Sequence, residues 1–168
     1  MITLYLDMDG VLCNFDKAYR SLRTHATDGK RFRAAVMEYK IFEDLEFMPD
    51  TQELLNHVCK LDKEIDIQIL TSMGTFDVQQ GNEAKRQKQV WLDKWNIPYK
   101  ANFVRSKEEK SLYAHKFAIL IDDSPGCITP FLAKDGQGIL HKSSVETISI
   151  LNKTIGGLRA IGAVRMVA

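Results

Sequence analysis

The chain has 168 residues, of which 45% are hydrophobic and 27% are charged; this excludes a disordered or fibrous protein and suits a single folded domain. Its 23 basic and 22 acidic residues leave a formal net charge of +1. Such a balance gives no global attraction to nucleic acid or to a membrane, so an anionic ligand needs a local site. We therefore expect a small-molecule ligand and no stable complex with nucleic acid.

The N-terminal segment places two carboxylates directly after a short apolar run and lacks the basic region of a signal peptide. No apolar run approaches the roughly 20 residues that span a bilayer. These features predict a cytoplasmic protein without a membrane segment. Three cysteines, at positions 13, 59 and 127, are odd in number and lack zinc-site spacing, which argues against a disulfide framework or a zinc site.

The first predicted strand covers residues 2–6, and the segment that follows it differs in character from the rest of the chain. Residues 17–64 show helical patterns at 30–39 and 51–61 but no convincing strand. We therefore expect a helical insertion of about residues 17–64 directly after the first strand. Asp50 or Thr51 is the predicted N-cap of its last helix.

Beyond the insertion, short apolar segments alternate with segments of helical periodicity. Strands are predicted at 67–70, 102–104, 117–121 and 138–140, and helices at 83–95 and 145–152. This alternation is typical of an α/β fold with a parallel sheet flanked by helices. The expected organisation is one domain over residues 1–168 that carries the insertion.

Polar residues, and one glycine, follow the first four predicted strands at the point where each strand ends. They are Asp7, Asp9 and Gly10 after the first, Thr71 and Ser72 after the second, Lys107 and Lys110 after the third, and Asp122 and Asp123 after the fourth. The carboxyl ends of parallel strands meet at one edge of a sheet, where α/β folds build ligand sites. We therefore expect these residues to form one site.

Carboxylates gathered at one edge repel each other unless a cation neutralises them. An all-oxygen ligand set favours Mg²⁺ over zinc, and magnesium commonly binds together with a substrate phosphate. Within the Asp7 and Asp9 pair, one carboxylate can attack phosphorus while the other transfers protons. Gly10 allows the backbone to turn sharply and approach a ligand. A hydroxyl from Thr71 and a lysine ammonium complete the groups needed for phosphoryl transfer.

These segments resemble the motifs of the haloacid dehalogenase superfamily. Asp7-Met8-Asp9-Gly10-Val11 resembles motif I, residues 69–72 resemble motif II, and residues 121–123 resemble motif IV. The resemblance implies a Rossmann-like fold with a small helical cap after strand 1. Residues 7–15 and 42–49 also resemble the 5'(3')-deoxyribonucleotidase branch, which implies a hydrolase acting on (deoxy)nucleoside monophosphates.

The resemblance also implies a role for each motif residue. Asp7 would be the nucleophile and Asp9 the general acid and base. The magnesium ligands would be Asp7, the Asp9 backbone carbonyl and Asp123, with Asp122 assisting, and Thr71 would bind the phosphoryl group. Lys107 and Lys110 are both candidates for the motif III lysine, and Lys110 is favoured because Lys110-Ser111 precedes a helix leading into residue 121.

Candidate substrate contacts lie both within and outside the motifs. They are Gly10, Ser72, Phe15, Phe42, Phe47 and Lys88. The aromatic residues are candidates for contact with a base or sugar, the alternative being packing within the cap. Lys88 lies on a predicted helix whose lysines and arginine are expected to face solvent, the alternative being contact with a phosphate. A small-metabolite phosphatase, a polynucleotide 3'-phosphatase and a non-catalytic binding protein remain alternatives to the nucleotidase.

Overall fold

The computed structural model describes residues 1–23 and 27–166. Five parallel strands form one sheet in the order β3-β2-β1-β4-β5. The strands are β1 (Thr3–Leu6), β2 (Asp66–Ser72), β3 (Lys100–Val104), β4 (Ala118–Asp122) and β5 (Gln137–Leu140). The central strand β1 is paired on both sides, with Leu6 opposite Ile69 on β2 and Ile121 on β4.

Six α-helices and two short 3₁₀ helices connect the strands in the described part of the chain. The α-helices are α1 (Phe15–Ser21), α2 (Asp28–Met37), α3 (Thr51–Val58), α4 (Val78–Lys94), α5 (Pro125–Leu132) and α6 (Ser144–Met166). The 3₁₀ helices are Ile41–Asp44 and Glu108–Tyr113. No described helix is both long and apolar enough to cross a bilayer.

Both faces of the sheet are covered by apolar side chains. Leu4 and Leu6 point to one face, where they join the core formed with α3, α4 and α6. Tyr5 lies on the other face and packs with Leu120 and Phe131 under α5. A strand buried on both faces has no polar side to alternate with, which explains the continuous apolar runs in the sequence.

The sequence prediction of an α/β fold with a parallel sheet flanked by helices is confirmed. Each of the five predicted strands overlaps an observed strand. The closing helix, predicted at 145–152, extends instead over Ser144–Met166. Glycines 156, 157 and 162 obscure the helical period there, although Leu151, Ile155 and Leu158 pack into the core along one side of the helix.

The segment predicted as a helical insertion, residues 17–64, contains helices and no strand among its described residues. Its last helix, α3, packs against α6 beside the sheet, with Leu54 and Val58 in the main core. The earlier helices α1 and α2 contact the 3₁₀ helix Ile41–Asp44. The insertion therefore has two sets of contacts, one between α3 and α6 and one among α1, α2 and this 3₁₀ helix.

Helix α4 holds the insertion in place through buried hydrogen bonds. The Gln87 side chain is fully buried; its Nε2 donates to the Val36 carbonyl at 2.7 Å, and its Oε1 accepts from the Phe42 backbone N–H at 3.2 Å. Trp91 Nε1 donates to the Leu45 carbonyl at 2.8 Å. Since α4 also packs in the main core, these bonds fix residues 36–45 relative to the sheet.

We predict that Gln87→Leu lowers the free energy of unfolding by about 2–4 kcal/mol, because the change leaves two buried backbone groups without partners. Urea denaturation measures the loss. Gln89→Leu is the matched control, since Gln89 is exposed on the same helix and bonds only locally to Asp93; its effect should stay within about 0.5 kcal/mol. Equal effects of the two substitutions would contradict the role given to Gln87.

Candidate active site

The loop after β1 brings Asp7 and Asp9 to one cavity at the carboxyl edge of the sheet. Asp7 follows Leu6 directly and is 5% exposed. The backbone then turns tightly, since the N–H groups of residues 11, 12 and 13 all donate to the Met8 carbonyl. Gly10 adopts a φ of 82° within this turn, a conformation that is costly for residues with a Cβ.

The end of β4 supplies two further carboxylates, Asp122 and Asp123. A carboxylate oxygen of each lies within 4.8 Å of the other and of an oxygen of Asp7. Gly10 makes this approach possible, because a Cβ at that position would stand 2.2 Å from Asp123 Oδ2. Asp123 is exposed and lines the cavity, whereas Asp122 is fully buried.

A hard divalent cation fits this group of residues. The three side chains offer only oxygen ligands, which is the set that Mg²⁺ and similar ions prefer. They include three of the four residues that the sequence nominated as magnesium ligands. The fourth, Asp9, was expected to bind through its backbone carbonyl.

Lys110 is the lysine that the structure brings to these carboxylates. Its Nζ lies 2.7 Å from Asp7 Oδ1 and 2.6 Å from Asp122 Oδ2, and the side chain is buried. Lys107, the alternative candidate, is exposed at the cavity rim, and its Nζ donates to Ser124 Oγ at 3.3 Å. The 3₁₀ helix Glu108–Tyr113 turns Lys110 inward and leaves Lys107 at the helix start.

Burial and charge act in opposite directions on the groups of this cluster. Burial raises the pKa of Asp7 to about 7, with Lys110 opposing the shift and the carboxylates of Asp122 and Asp9 adding to it. Burial alone would lower the pKa of Lys110, but Asp7 and Asp122 outweigh that effect and raise it. The Lys110 ammonium therefore stays charged at neutral pH, and the Asp7 carboxyl is more easily protonated than that of an exposed aspartate.

Thr71 and Lys88 lie together behind Asp9. Lys88 is fully buried on α4, so the expectation that it faces solvent was wrong. Its Nζ lies 2.5 Å from Asp9 Oδ2 and donates to Thr71 Oγ1 at 2.9 Å. Neither Lys88 nor Thr71 lines the cavity. The helical period of α4 could have predicted the burial of Lys88, because Ala84, Lys88 and Trp91 share the buried side of the helix.

The cavity has a volume of about 460 Å³, and among its polar and charged lining residues four phenylalanines, Phe15, Phe32, Phe42 and Phe76, form what we call the aromatic wall. Phe15 and Phe42 line it as the sequence proposed, with their rings stacked at a centroid distance of 5.2 Å. Phe47 does not line it, because its ring packs on Trp91 and Trp95 instead. These contacts favour the packing alternative for Phe47 over a substrate contact.

Several lining residues were not nominated from the sequence. They include Asp16, Phe32, Met73, Phe76 and Arg105, and they lie beside the nominated Gly10 and Ser72. Phe76 is 65% exposed, and the Arg105 guanidinium lies 5.2 Å from its ring centroid. Phe76 follows the end of β2 and Arg105 follows the end of β3. These positions in the sequence could have predicted that both residues lie near the site.

No family model and no curated protein sequence matches the chain. Among solved structures, the chain is similar to a putative beta-phosphoglucomutase from Thermotoga maritima, with 14% identity and a TM-score of 0.54, over 91% of this chain and 99% of that one. It is also similar to a hydrolase from Streptococcus pneumoniae TIGR4, with 12% identity and a TM-score of 0.50, over 89% and 97% of the two chains. At these identities the likeness concerns the fold alone, a Rossmann-like parallel sheet flanked by helices.

We predict that Lys110→Met lowers the free energy of unfolding by about 3 kcal/mol at neutral pH without divalent cations, because the buried carboxylates of Asp7 and Asp122 lose their shared partner. Urea denaturation in the presence of a chelator provides the value. Lys107→Met is the matched control and should change stability by less than about 0.5 kcal/mol. A destabilisation confined to the Lys107 variant would reverse the assignment of the two lysines.

Proposed function

We propose that the protein is a magnesium-dependent phosphomonoester hydrolase that works through an aspartyl-phosphate intermediate. The observation that carries the proposal is the grouping of Asp7, Asp122 and Asp123 around Lys110, with Asp9 on the same cavity. The group combines a candidate nucleophile, a fixed cation and a divalent-metal ligand set. Phosphoryl transfer needs these parts, since its catalysis is mainly positioning and neutralisation of charge.

In the first step a carboxylate oxygen of Asp7 attacks phosphorus, the bond from phosphorus to the ester oxygen breaks, and Asp9 gives its proton to the departing alcohol. In the second step Asp9 takes a proton from water as that water attacks the phosphorus of the aspartyl phosphate. Inorganic phosphate leaves, and Asp7 is restored. Lys110 keeps the Asp7 carboxylate in place through its 2.7 Å contact with Oδ1.

Asp7 and Asp123, assisted by Asp122, would hold Mg²⁺ together with the backbone carbonyl of Asp9. When bound, the ion supplies positive charge that offsets the carboxylates and the phosphoryl oxygens. Thr71 would bind the phosphoryl group only after a local movement, because its side chain is fully buried and does not line the cavity. Ser72 follows Thr71 and lines the cavity, and we propose it as a phosphoryl contact. Its hydroxyl donates to the Arg105 carbonyl at 3.3 Å, a long hydrogen bond that it would exchange for one to a phosphoryl oxygen.

The names of the two similar structures, a putative beta-phosphoglucomutase and a hydrolase, agree with this chemistry. A shared fold does not fix a reaction. The proposal therefore depends on the side chains described above, and the structural neighbours support it only by presenting the same scaffold.

For the substrate we propose a nucleoside monophosphate, in the manner of the 5'(3')-deoxyribonucleotidases. The aromatic wall supports this choice, because flat rings stack well on aromatic side chains. Phe42 is only 2% exposed, so it backs the wall from behind. Phe15, Phe32 and Phe76 are more accessible and line the same cavity, and they are the better candidates for contact with a base.

The test is phosphate release from a panel of phosphomonoesters with Mg²⁺ and with EDTA. The panel contains 5'- and 3'-nucleoside monophosphates in deoxy and ribo forms, simple sugar phosphates and an oligonucleotide with a 3'-phosphate. We expect magnesium-dependent release, fastest from deoxynucleoside monophosphates. Preference for a sugar phosphate or the oligonucleotide would retain the hydrolase and replace the substrate, whereas no release from any ester would contradict the proposed function.

Asp7→Asn should reduce release to background in the same assay, because the amide has the shape of the carboxylate but cannot serve as the nucleophile. Asp135→Asn is the matched control. Asp135 is exposed in the turn before β5, at the opposite edge of the sheet, and its φ of 62° suits asparagine equally well. Substantial turnover by the Asp7 variant would exclude the mechanism.

A further inference from the structure

Lys88 is a fully buried ammonium whose bonding capacity is already used. It contacts the carboxylate of Asp9 at 2.5 Å, the hydroxyl of Thr71 at 2.9 Å and the face of the Phe42 ring, whose centroid lies 4.4 Å away. A lysine ammonium has three N–H donors and no acceptor. One carboxylate, one hydroxyl and one aromatic face therefore match its three donors.

This arrangement argues against a direct contact between Lys88 and a substrate phosphate. Lys88 does not line the cavity, whereas Asp9 does, so the carboxylate stands between the ammonium and the space for a ligand. Asp9 is also the partly exposed member of the pair, at 28% for its side chain against 0% for that of Lys88. Lys88 therefore acts on a ligand only through Asp9.

We propose that Lys88 is a positioning residue for the general acid, an inference that rests on the proposed function. Its ion pair occupies Oδ2 of Asp9 from behind. The other oxygen, Oδ1, accepts the thiol of Cys13 at 3.5 Å, which is a weak donor at a long distance. Lys88 thus fixes the carboxylate orientation and leaves Oδ1 as the oxygen that exchanges a proton with the leaving group.

Three separate elements hold Lys88 itself in place, which makes the orientation of Asp9 a property of the packed fold. The lysine stem is buried on α4, Thr71 comes from β2, and Phe42 comes from the insertion. Gln87, its neighbour on α4, bonds the Phe42 backbone N–H. A charged pair in water would exchange among many geometries, whereas this one is held by packing on several sides.

If Lys88 positions the acid, its removal should slow the enzyme more for esters whose leaving group needs a proton. If its role is purely structural, removal should slow all esters equally. An alkoxide leaving group needs a proton in the transition state, whereas p-nitrophenolate leaves without one. The experiment compares benzyl phosphate with p-nitrophenyl phosphate. The measured quantity is kcat/KM, which reports the step that forms the aspartyl phosphate for both esters.

For Lys88→Met we expect kcat/KM to fall about 100-fold or more for benzyl phosphate and less than about 10-fold for p-nitrophenyl phosphate, in the range that general acid catalysis contributes. Asp9→Asn should show the same selectivity, and adding Lys88→Met to it should cause little further loss, because both changes disable one function. Lys85→Met, which removes an exposed ammonium from the same helix, should affect neither ester.

Equal losses for the two esters, or full additivity with Asp9→Asn, would overturn the positioning role while leaving the hydrolase proposal intact. A wild-type protein that releases phosphate from neither ester nor from the substrate panel would refute the proposed function, and the inference with it. If Lys88→Met does not fold, Lys88→Gln takes its place. The glutamine keeps a polar group for Thr71 but not the charge, and the same leaving-group selectivity is expected.

Discussion

Lys110 carries the positive charge that allows carboxylates from two neighbouring strands to share a dry interior. Asp7 follows β1 and Asp122 ends β4, so the parallel pairing of these strands places both at one edge of the sheet. Burying two such carboxylates without a cation is strongly unfavourable, and it is tolerated only with good geometry and hydrogen bonds. The 3₁₀ helix that carries Lys110 supplies both. Asp123 lies beside these two carboxylates, and Gly10 leaves room for its side chain.

Helix α4 connects Asp9 with residues 36–45 of the insertion. Successive residues on its buried side act on different partners: Gln87 binds the backbone of the insertion, and Lys88 binds Asp9. A shift of residues 36–45 would therefore move Gln87 and, through the adjacent Lys88, change the position of the Asp9 carboxylate. In this fold Phe42 of the aromatic wall and Asp9, the proposed proton donor, are both bound by side chains of α4.

Apolar runs and strand ends predicted the sheet because strands buried on both faces leave a plain signal in the sequence. The same logic brought Asp7, Asp9, Asp122 and Asp123 to one edge. The sequence interpretation missed the direction of two individual side chains. The sequence interpretation placed Lys88 among solvent-facing charges and Phe47 among the aromatic residues of the cap. In the structure Lys88 contacts Asp9, and Phe47 packs on Trp91.

Covalent phosphorylation of Asp7 is the step on which the proposed mechanism depends, and trapping the aspartyl phosphate tests it most directly. The protein is mixed with a substrate labelled in its phosphoryl group, quenched in acid within one turnover and digested, and the labelled peptide is identified. Acid preserves an acyl phosphate long enough for the digestion and the identification of the peptide. We expect label on the peptide that contains Asp7, and none after Asp7→Asn. Label on another residue, or phosphate release with no labelled protein at the earliest times, would contradict the mechanism.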